Sequence, residues 1–358
     1  MEMHIREYNS SVDKNLKLTD EFHVPSKPKP LCLFFHGWHM TAAASRLQKG
    51  TIEPLVDEFF LVNVDMRGRG GSSGKPDASG HELIDGLDGL EYARENWGDR
   101  ISPRGLYAVG GSGGGGNVLA LAGKSPDIFS AAVSWAGISD YALLYSLDAR
   151  GRIRDEMEEK GWIGGSPDTN PEGYRSRSGV CIIENVFTRL LAIQGRKDAT
   201  VPVILAEQYE ARAAELKKDN IKVVYNDMGH SSMEWPLAMC HLKQHAKLPE
   251  IPGKGRLLVY SFLALRSFWI ILESPSDMGY ADYVLDSGGN LESLSFHRTY
   301  SMREESDCRI RLFSTVRELE VRDGAGKKLV YGCEVKEPGR NIDFSFRCKG
   351  DFTLRVQA

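Results

Sequence analysis

Three polar side chains, far apart along the 358-residue chain, have the types and the order needed for nucleophilic catalysis. The first is Ser112, which lies in Gly110-Gly-Ser-Gly-Gly114, where an apolar run ends and a helical pattern begins. This Gly-x-Ser-x-Gly pattern is typical of a nucleophile elbow, in which small neighbours allow a sharp turn that exposes the serine hydroxyl. Because a serine hydroxyl is not ionised near neutral pH, it needs a base.

A carboxylate and an imidazole follow Ser112 in the order expected of its partners. Asp198 comes just after the apolar run 190–194, and His230 comes just after the run 222–225. Serine, acid and histidine is the chain order of α/β-hydrolases. We therefore predict that His230 takes the Ser112 proton and that Asp198 orients the imidazole.

Acyl transfer also needs N–H donors for the oxyanion and a surface for the substrate. We predict the backbone N–H of Gly113, which follows the nucleophile, and that of Trp38, in the loop after the first buried strand. Four further side chains could line an acyl or aromatic pocket or pack in the core: Tyr145, Trp162, Met233 and Trp235.

The elements that must position these residues alternate between strands and helices. Continuous apolar runs predict strands buried on both faces at 31–35 and 59–64. Further strands are predicted from residue 106 to the turn at Ser112 and at 131–136, 190–194 and 222–225. Apolar spacing predicts a helix from Leu83 to Ala93, and composition predicts another over 203–217. Two antiparallel edge strands are expected within residues 4–24. The predicted fold is therefore α/β, a doubly wound and mostly parallel sheet with its site at the carboxyl ends of the strands.

Two domains are predicted from the length and from a change in pattern after residue 250, where alternating strands and helices give way to short strand-like runs. Residues 1–250 form the α/β-hydrolase domain, in which residues 141–187 interrupt the alternation and are expected to form a small cap. Residues 256–358 are expected to form a β-sandwich-like accessory domain. Its predicted strands are 268–272, 281–285, 309–313, 318–322, 328–331, 342–346 and 352–356.

Composition excludes several classes of function. A net charge of −4 gives no reason to expect nucleic-acid binding, and no apolar run is long enough to cross a membrane. The six cysteines lack Cys-x-x-Cys spacing and favour free thiols, and the chain begins without a signal-peptide pattern. We therefore expect a cytoplasmic protein, unless a signal has been removed. The predicted mechanism requires no cofactor, and a homo-oligomer could form through the C-terminal domain.

Six motifs in the same order carry a resemblance to a known family. They are His36-Gly-Trp38, Asp65-x-Arg-Gly-Arg-Gly70, Gly110-x-Ser-x-Gly114, Gly164-x-Ser-Pro-x-x-Asn-Pro171, Gly195-x-x-Asp198-x-x-Val-Pro202 and Gly229-His230. Over residues 15–248 the chain resembles the catalytic domain of the prolyl oligopeptidase family and its esterase relatives. The resemblance implies an α/β-hydrolase fold and assigns the triad to Ser112, Asp198 and His230.

Two differences from the peptidases of that family favour an ester as the substrate. Those peptidases usually have a tyrosine directly after the nucleophile, where this chain has Gly113. They also carry an N-terminal β-propeller, whereas about 30 residues precede the predicted sheet here. The leading hypothesis is a serine esterase that acts on a small-molecule or oligomeric ester. A peptidase or amidase is the second hypothesis, and a non-catalytic binding protein with a hydrolase fold is the third.

Other interpretations of the same residues stay open at this point. The segment Gly111–Gly116 also fits a dinucleotide fingerprint, but no acidic residue ends the next strand. Glycines 113–116 could instead let a bulky substrate approach the backbone. Histidine pairs 36/39 and 241/245 lack further metal ligands, so no metal site is predicted. Asp65, Arg67 and Arg69 could contact an anionic substrate or brace their own loop.

Overall fold

Strands from the first part of the chain form one eight-stranded sheet in the computed structural model, which describes residues 1–231, 233–313, 316, 318–330 and 342–357. The strands are β1 (Glu2–Asn9), β2 (Lys17–Val24), β3 (Lys29–Phe35), β4 (Phe60–Val64), β5 (Ile101–Gly111), β6 (Ala131–Trp135), β7 (Arg189–Gly195) and β8 (Ile221–Asn226). They lie in the order β1-β2-β4-β3-β5-β6-β7-β8, with β3 to β8 parallel and β1 and β2 antiparallel.

Helices cover both faces of this sheet. They are α1 (Ala42–Leu47), α2 (Glu53–Val56), α3 (Glu82–Trp97), α4 (Gly113–Lys124), α5 (Tyr141–Leu147), α6 (Arg152–Arg154), α7 (Pro171–Arg175), α8 (Ile204–Glu215) and α9 (Trp235–Gln244). Side chains of α3, α4 and α8 share one apolar core, and those of α2 and α9 share the core on the other face. This arrangement confirms the predicted α/β-hydrolase fold. Within the described ranges, no helix is long and apolar enough to span a bilayer.

The prediction that both N-terminal strands lie at the sheet edge is wrong for β2. Only β1 lies at the edge, because β2 also pairs with β4. The polar residues of β2 suggested an exposed strand, but two of them are buried with partners. Glu21 accepts a hydrogen bond from Asn63 and pairs with Arg46, and Asp20 accepts the backbone N–H of Asp65. Buried polar groups with such partners are compatible with an interior strand.

The segment after β6 builds an apolar cluster beside the carboxyl ends of the strands. Helices α5 to α7 and a π-helical turn, Asp155–Glu159, contribute to this cluster, which we call the cap cluster. Its largest members include Tyr141, Trp162 and Tyr174, all of which are buried. A 3-10 helix, Gly179–Asn185, packs instead against α4, where Ile182 closely approaches Gly123. A second 3-10 turn, Gly98–Arg100, follows α3.

The C-terminal residues form a second, antiparallel sheet. Its strands are β9 (Lys254–Tyr260), β10 (Phe262–Ala264), β11 (Phe268–Leu272), β12 (Met278–Leu285), β13 (Leu291–Tyr300), β14 (Ser306–Leu312), β15 (Glu318–Asp323), β16 (Lys328–Val330), β17 (Ile342–Cys348) and β18 (Phe352–Gln357). They lie in the order β16-β15-β18-β13-β12-β9-β10-β11-β14-β17. One apolar core takes side chains from both halves of this order, as in a sandwich.

Sequence analysis located most of this sheet and missed three strands, β9, β10 and β13. Strands β9 and β10 are separated only by Ser261, which has a φ of 69°. The run 257–272 therefore looks like one apolar segment in the sequence, although it contains a corner. The predicted end of one strand at Tyr331 lies outside the described residues, as does Cys333.

The second sheet packs against the hydrolase core through its β10 and β11 strands. Phe262, Ala264, Trp269 and Ile271 belong to the same buried cluster as the side chains of α3 and α4. Trp269 is only 2% exposed and lies against Phe313 and the Arg311 guanidinium. This tryptophan therefore packs in the core rather than on an open surface.

Replacing Trp269 by alanine is expected to destabilise the protein by about 3–5 kcal/mol, because the change leaves a cavity between the two sheets. The free energy of unfolding in urea measures this effect. Tyr280→Ala is the matched control, since Tyr280 is a partly exposed aromatic residue of the same sheet. A Trp269→Ala variant no less stable than the Tyr280→Ala variant would contradict this account of the packing.

Candidate active site

Ser112 lies in the sharp turn between β5 and α4. Its φ of 56° and ψ of −121° are a strained combination for a residue with a side chain. The turn is fixed by two backbone hydrogen bonds, from Ser112 N–H to the Trp135 carbonyl at 2.9 Å and from Gly116 N–H to the Ser112 carbonyl at 3.0 Å. The hydroxyl consequently stands at the N-terminus of α4, as in a nucleophile elbow.

Two glycines allow this turn because no side chain fits at their positions. A Cβ atom on Gly110 would lie 2.3 Å from the Gly114 carbonyl oxygen. A Cβ atom on Gly114 would lie 2.0 Å from the carbonyl oxygen of Phe35, at the end of β3. Both contacts are with backbone, which cannot move aside as the end of a flexible side chain can. The glycines therefore let α4 begin directly against the central strands.

A continuous row of hydrogen bonds joins the three residues of the predicted triad. The Ser112 hydroxyl oxygen lies 2.9 Å from His230 Nε2, and His230 Nδ1 lies 2.8 Å from Asp198 Oδ2. Asp198 Oδ1 accepts the backbone N–H groups of Thr200 at 2.8 Å and Val201 at 2.9 Å, so the carboxylate is held in place. This geometry permits transfer of the hydroxyl proton to the imidazole.

The environment of Asp198 keeps its carboxylate charged. Burial alone would raise the pKa of Asp198, but the hydrogen bond from His230 and those from the Val201 and Thr200 amides outweigh it. The net result is a pKa below the usual range for aspartate. A charged carboxylate at this position accepts a proton from His230 Nδ1, which directs Nε2 toward the Ser112 hydroxyl.

The loop from His36 to His39 lies against the first turn of α4. We call it the oxyanion loop because it contains Trp38, the donor predicted from the sequence. Buried His36 braces it, with Nδ1 2.9 Å from the Gly37 carbonyl oxygen and Nε2 3.1 Å from Asp65 Oδ1. The Trp38 indole lies across Gly113, where a Cβ atom would come within 2.1 Å of the ring. Gly113 is thus the residue type that leaves room for the indole beside the nucleophile.

A cavity of about 330 Å³ opens at Ser112 and His230. Met233 and Trp235 are among its lining residues, as the sequence analysis proposed. Trp135 and Phe34 extend the same apolar wall, with ring centroids 6.0 Å apart between them and 6.1 Å between Trp135 and Trp235. The cavity therefore has an aromatic side next to the candidate nucleophile.

The other two proposed pocket residues do not line this cavity. Trp162 is 5% exposed and packs with its edge toward Trp38 in the cap cluster. Tyr145 packs against Tyr174, and its hydroxyl donates to Glu158 at 2.6 Å. Both residues pack in or against the cap cluster, which is the core alternative that the sequence analysis left open for them.

Sequence reasoning missed the aromatic side of the cavity contributed by Phe34 and Trp135. Both residues end or nearly end a parallel strand, β3 and β6 respectively. Their apolar character made them look like ordinary core residues. Their position at the carboxyl ends of neighbouring strands was the available signal, because ligand sites of such sheets lie there.

The remaining polar motifs brace the structure around the site. Arg67 pairs with Asp85 of α3 at 2.6 Å, and the Arg69 guanidinium lies 4.5 Å from the centre of the Trp162 ring. Glycines 113–116 are buried against Trp38, β3 and the residues after β6, which contradicts the idea that they offer open backbone to a substrate. In the part of the chain that the structure describes, no group of three or more His, Cys, Asp or Glu side chains could hold a metal ion.

Comparison with known sequences decides the family. Residues 53–242 match the sequence profile of the prolyl oligopeptidase family, and this match spans more than half of the 358 residues. The chain belongs to the prolyl oligopeptidase family. The resemblance drawn from the six motifs is thereby confirmed, and the protein is a serine hydrolase of this family.

Relatives of this prolyl oligopeptidase family member include proteins named as peptidases and as esterases. It is 25% identical over 229 residues to the uncharacterized peptidase YtmA of Bacillus subtilis (strain 168), a match that covers 63% of this chain and 87% of YtmA. The esterase Pf2001 of Pyrococcus furiosus has a TM-score of 0.54 at 15% identity, covering 69% of this chain and 92% of that one.

The acylaminoacyl peptidase of Pyrococcus horikoshii is a second structural neighbour of this family member. It has a TM-score of 0.56 at 20% identity, covering 70% of this chain and 43% of the peptidase chain. At these identities the two structural similarities establish the fold alone. The choice between an ester and a peptide as substrate rests on the site.

Replacing Asp198 by asparagine is expected to lower kcat about 1,000-fold or more, because an amide can donate to Nδ1 and leave the Nε2 proton facing Ser112. Steady-state hydrolysis of p-nitrophenyl acetate measures the loss. Asp227→Asn removes the same charge from an exposed position three residues before His230 and should keep parental kcat. An Asp198→Asn variant with more than a third of parental kcat would show that the carboxylate does not orient the imidazole.

Proposed function

We propose that this protein hydrolyses carboxylic esters through an acyl-enzyme formed on Ser112. His230 takes the Ser112 proton as the oxygen attacks the ester carbonyl, and then gives that proton to the leaving alcohol. Water next attacks the acyl-enzyme with His230 again as base, which releases the acid and restores the serine. The observation that carries the proposal is the Ser112–His230–Asp198 row, with distances of 2.9 and 2.8 Å.

Two backbone N–H groups are proposed to stabilise the tetrahedral oxyanion. One is the Gly113 amide at the N-terminus of α4, where the helix dipole favours negative charge. The other is the Trp38 amide, in the oxyanion loop that packs against the same helix turn. Preorganised donors of this kind contribute much of the rate enhancement in acyl transfer. These roles require no cofactor.

The cavity supports an apolar acyl group as the part of the substrate next to Ser112. One side of it, formed by Phe34, Trp135, Met233 and Trp235, offers aromatic and thioether surface, whereas Lys49 and polar side chains line other parts of it. Burial of each methylene group against such a wall contributes about 0.8 kcal/mol. We therefore propose that short or medium acyl chains, or an aromatic acyl group, occupy this side.

Several observations favour ester over peptide cleavage. Gly113 stands where peptidases of the family usually have a tyrosine, and the Trp38 indole occupies the space above it. The Pyrococcus furiosus protein to which the chain is similar in fold is named an esterase, which also supports an ester substrate. A peptidase or amidase is the second candidate, favoured by the name of the Bacillus subtilis relative.

Ser112→Ala is expected to abolish turnover of p-nitrophenyl butyrate, and labelling by a fluorophosphonate probe should disappear with it. The matched control is Ser146→Ala, an exposed serine of α5, which should keep both activities. Parental turnover by the Ser112→Ala variant would disprove the nucleophile assignment. A parent protein that neither turns over nor labels would support a non-catalytic binding protein instead.

A comparison of kcat/KM for esters and for aminoacyl p-nitroanilides with the same acyl group tests the substrate class. We expect the ratio of kcat/KM for the ester to kcat/KM for the anilide to exceed the ratio of their rates of hydrolysis by hydroxide under the same conditions. The opposite ranking would favour the peptidase hypothesis.

Trp235→Ala is expected to lower kcat/KM for p-nitrophenyl butyrate about 10-fold and that for the acetate less than 3-fold, because only the longer acyl chain reaches the lost ring. The matched control is Trp235→Phe, which keeps an aromatic wall and should retain most of the activity. Equal losses for both esters would place the acyl group elsewhere.

A further inference from the structure

The cap cluster touches the oxyanion loop through four side-chain contacts, one of which brings the His39 and Trp162 ring centroids to 5.9 Å. His39 Nε2 lies 2.7 Å from Glu156 Oε1, in the π-helical turn of the cap. The Trp162 ring meets the Trp38 indole edge-on, with centroids 5.1 Å apart and an interplanar angle of 86°. Tyr141 also stacks against the Trp38 indole, with ring centroids 5.9 Å apart. The indole that covers Gly113 is therefore held by cap residues.

Both sides of the His39–Glu156 contact have unusual backbone. His39 has a φ of 65°, in the left-handed region that residues other than glycine seldom occupy. Glu156 lies in the Asp155–Glu159 π-helical turn, a rare form that is frequent at functional sites. Strained backbone persists where the surrounding structure determines it, and here the strained His39 meets the π-helical turn in one contact.

Among the residues that the structure describes, three buried polar atoms at the same junction have no hydrogen-bond partner in the protein. They are Trp38 Nε1, Arg69 Nη2 and Glu156 Oε2. A buried polar group without a partner is less stable than a hydrogen-bonded one, so this junction differs from an ordinary apolar contact.

We propose that Glu156 and Trp162 are positioning residues that fix the Trp38 amide for oxyanion binding. Glu156 acts through His39, the loop residue after Trp38, and Trp162 acts through the Trp38 ring itself. Neither cap residue lines the cavity at Ser112, so neither is assigned a contact with the substrate. The proposal rests on the ester-hydrolase function proposed above.

This arrangement predicts a specific kinetic effect. An oxyanion donor acts on the charge that develops in the transition state, so its displacement lowers kcat more than it weakens substrate binding. Complete loss of such a donor costs about 100- to 1,000-fold in kcat. A donor that remains in the site but is less well positioned should lower kcat by only part of that factor.

The test compares Glu156→Ala with Glu156→Gln. Alanine removes the carboxylate that lies 2.7 Å from His39 Nε2, whereas glutamine keeps an oxygen at the same position without the charge. We expect Glu156→Ala to lower kcat for p-nitrophenyl butyrate and the rate of fluorophosphonate labelling about 10-fold, with KM within twofold of the parent. Glu156→Gln should stay within threefold of parental kcat. Glu159→Ala, exposed in the same turn, is the matched control and should behave as the parent.

A second variant approaches the contact from the loop side. His39→Asn keeps a residue that tolerates the left-handed conformation but is too short to reach Glu156. We expect it to reduce kcat at least as much as Glu156→Ala does, because it also removes the contact between the His39 and Trp162 rings. The double variant should lose little more than His39→Asn alone, since the His39–Glu156 contact is already absent in that single variant. This variant also provides the test if Glu156→Ala does not fold.

The outcomes separate this proposal from the proposed function. A parent that labels at Ser112, together with a Glu156→Ala variant that labels equally fast, overturns the positioning role and leaves the esterase intact. A rise in KM at unchanged kcat, or additive losses in the double variant, also overturns it. A parent that neither labels nor turns over overturns both.

Discussion

The close approach of α4 to the end of β3 is the constraint on which the active site depends. Gly114 sits so near the Phe35 carbonyl that a single methyl group would lie 2.0 Å from it. Because the helix begins there, Ser112 is forced into a left-handed conformation and its oxygen reaches His230 at 2.9 Å. Phe35 also leads into the oxyanion loop, so the same packing sets the distance between the nucleophile and that loop. One backbone contact thus couples the three parts of the proposed chemistry.

Buried polar groups then fix the loops that this packing brings together. Asp65, at the end of β4, accepts hydrogen bonds from Ala42 N–H at 2.6 Å and from His36 at 3.1 Å, which ties the oxyanion loop to the start of α1. Its own backbone N–H donates to Asp20 of β2 at 2.8 Å. The motif that begins at Asp65 therefore has a structural role. Arg67 pairs with Asp85 of α3, and Arg69 lies over the Trp162 ring rather than facing the cavity. Satisfied buried networks of this kind give a loop one defined position.

The sequence predicted the features that depend on chain order and continuous apolar runs, and it failed where the direction of a side chain decided the outcome. The parallel strands were recognisable because strands buried on both faces leave uninterrupted apolar runs. Strand β2 was misplaced at the edge, because buried Glu21 finds partners on other elements that the sequence cannot show. Trp162 was proposed as a pocket residue because its type suits a pocket, but its ring faces the cap. Trp135 was overlooked because an apolar residue in a buried strand looks like part of the core, although its ring lines the cavity.

The central claim is that Ser112 forms a covalent acyl intermediate, and direct detection of that intermediate tests it most directly. The protein is mixed with excess p-nitrophenyl butyrate, quenched in acid during turnover, digested and analysed by mass spectrometry. The account predicts a butyryl group on the peptide that contains Ser112, with a burst of p-nitrophenol of up to one equivalent per chain if deacylation is the slower step. Turnover with the butyryl group on another residue and none on Ser112 would contradict it.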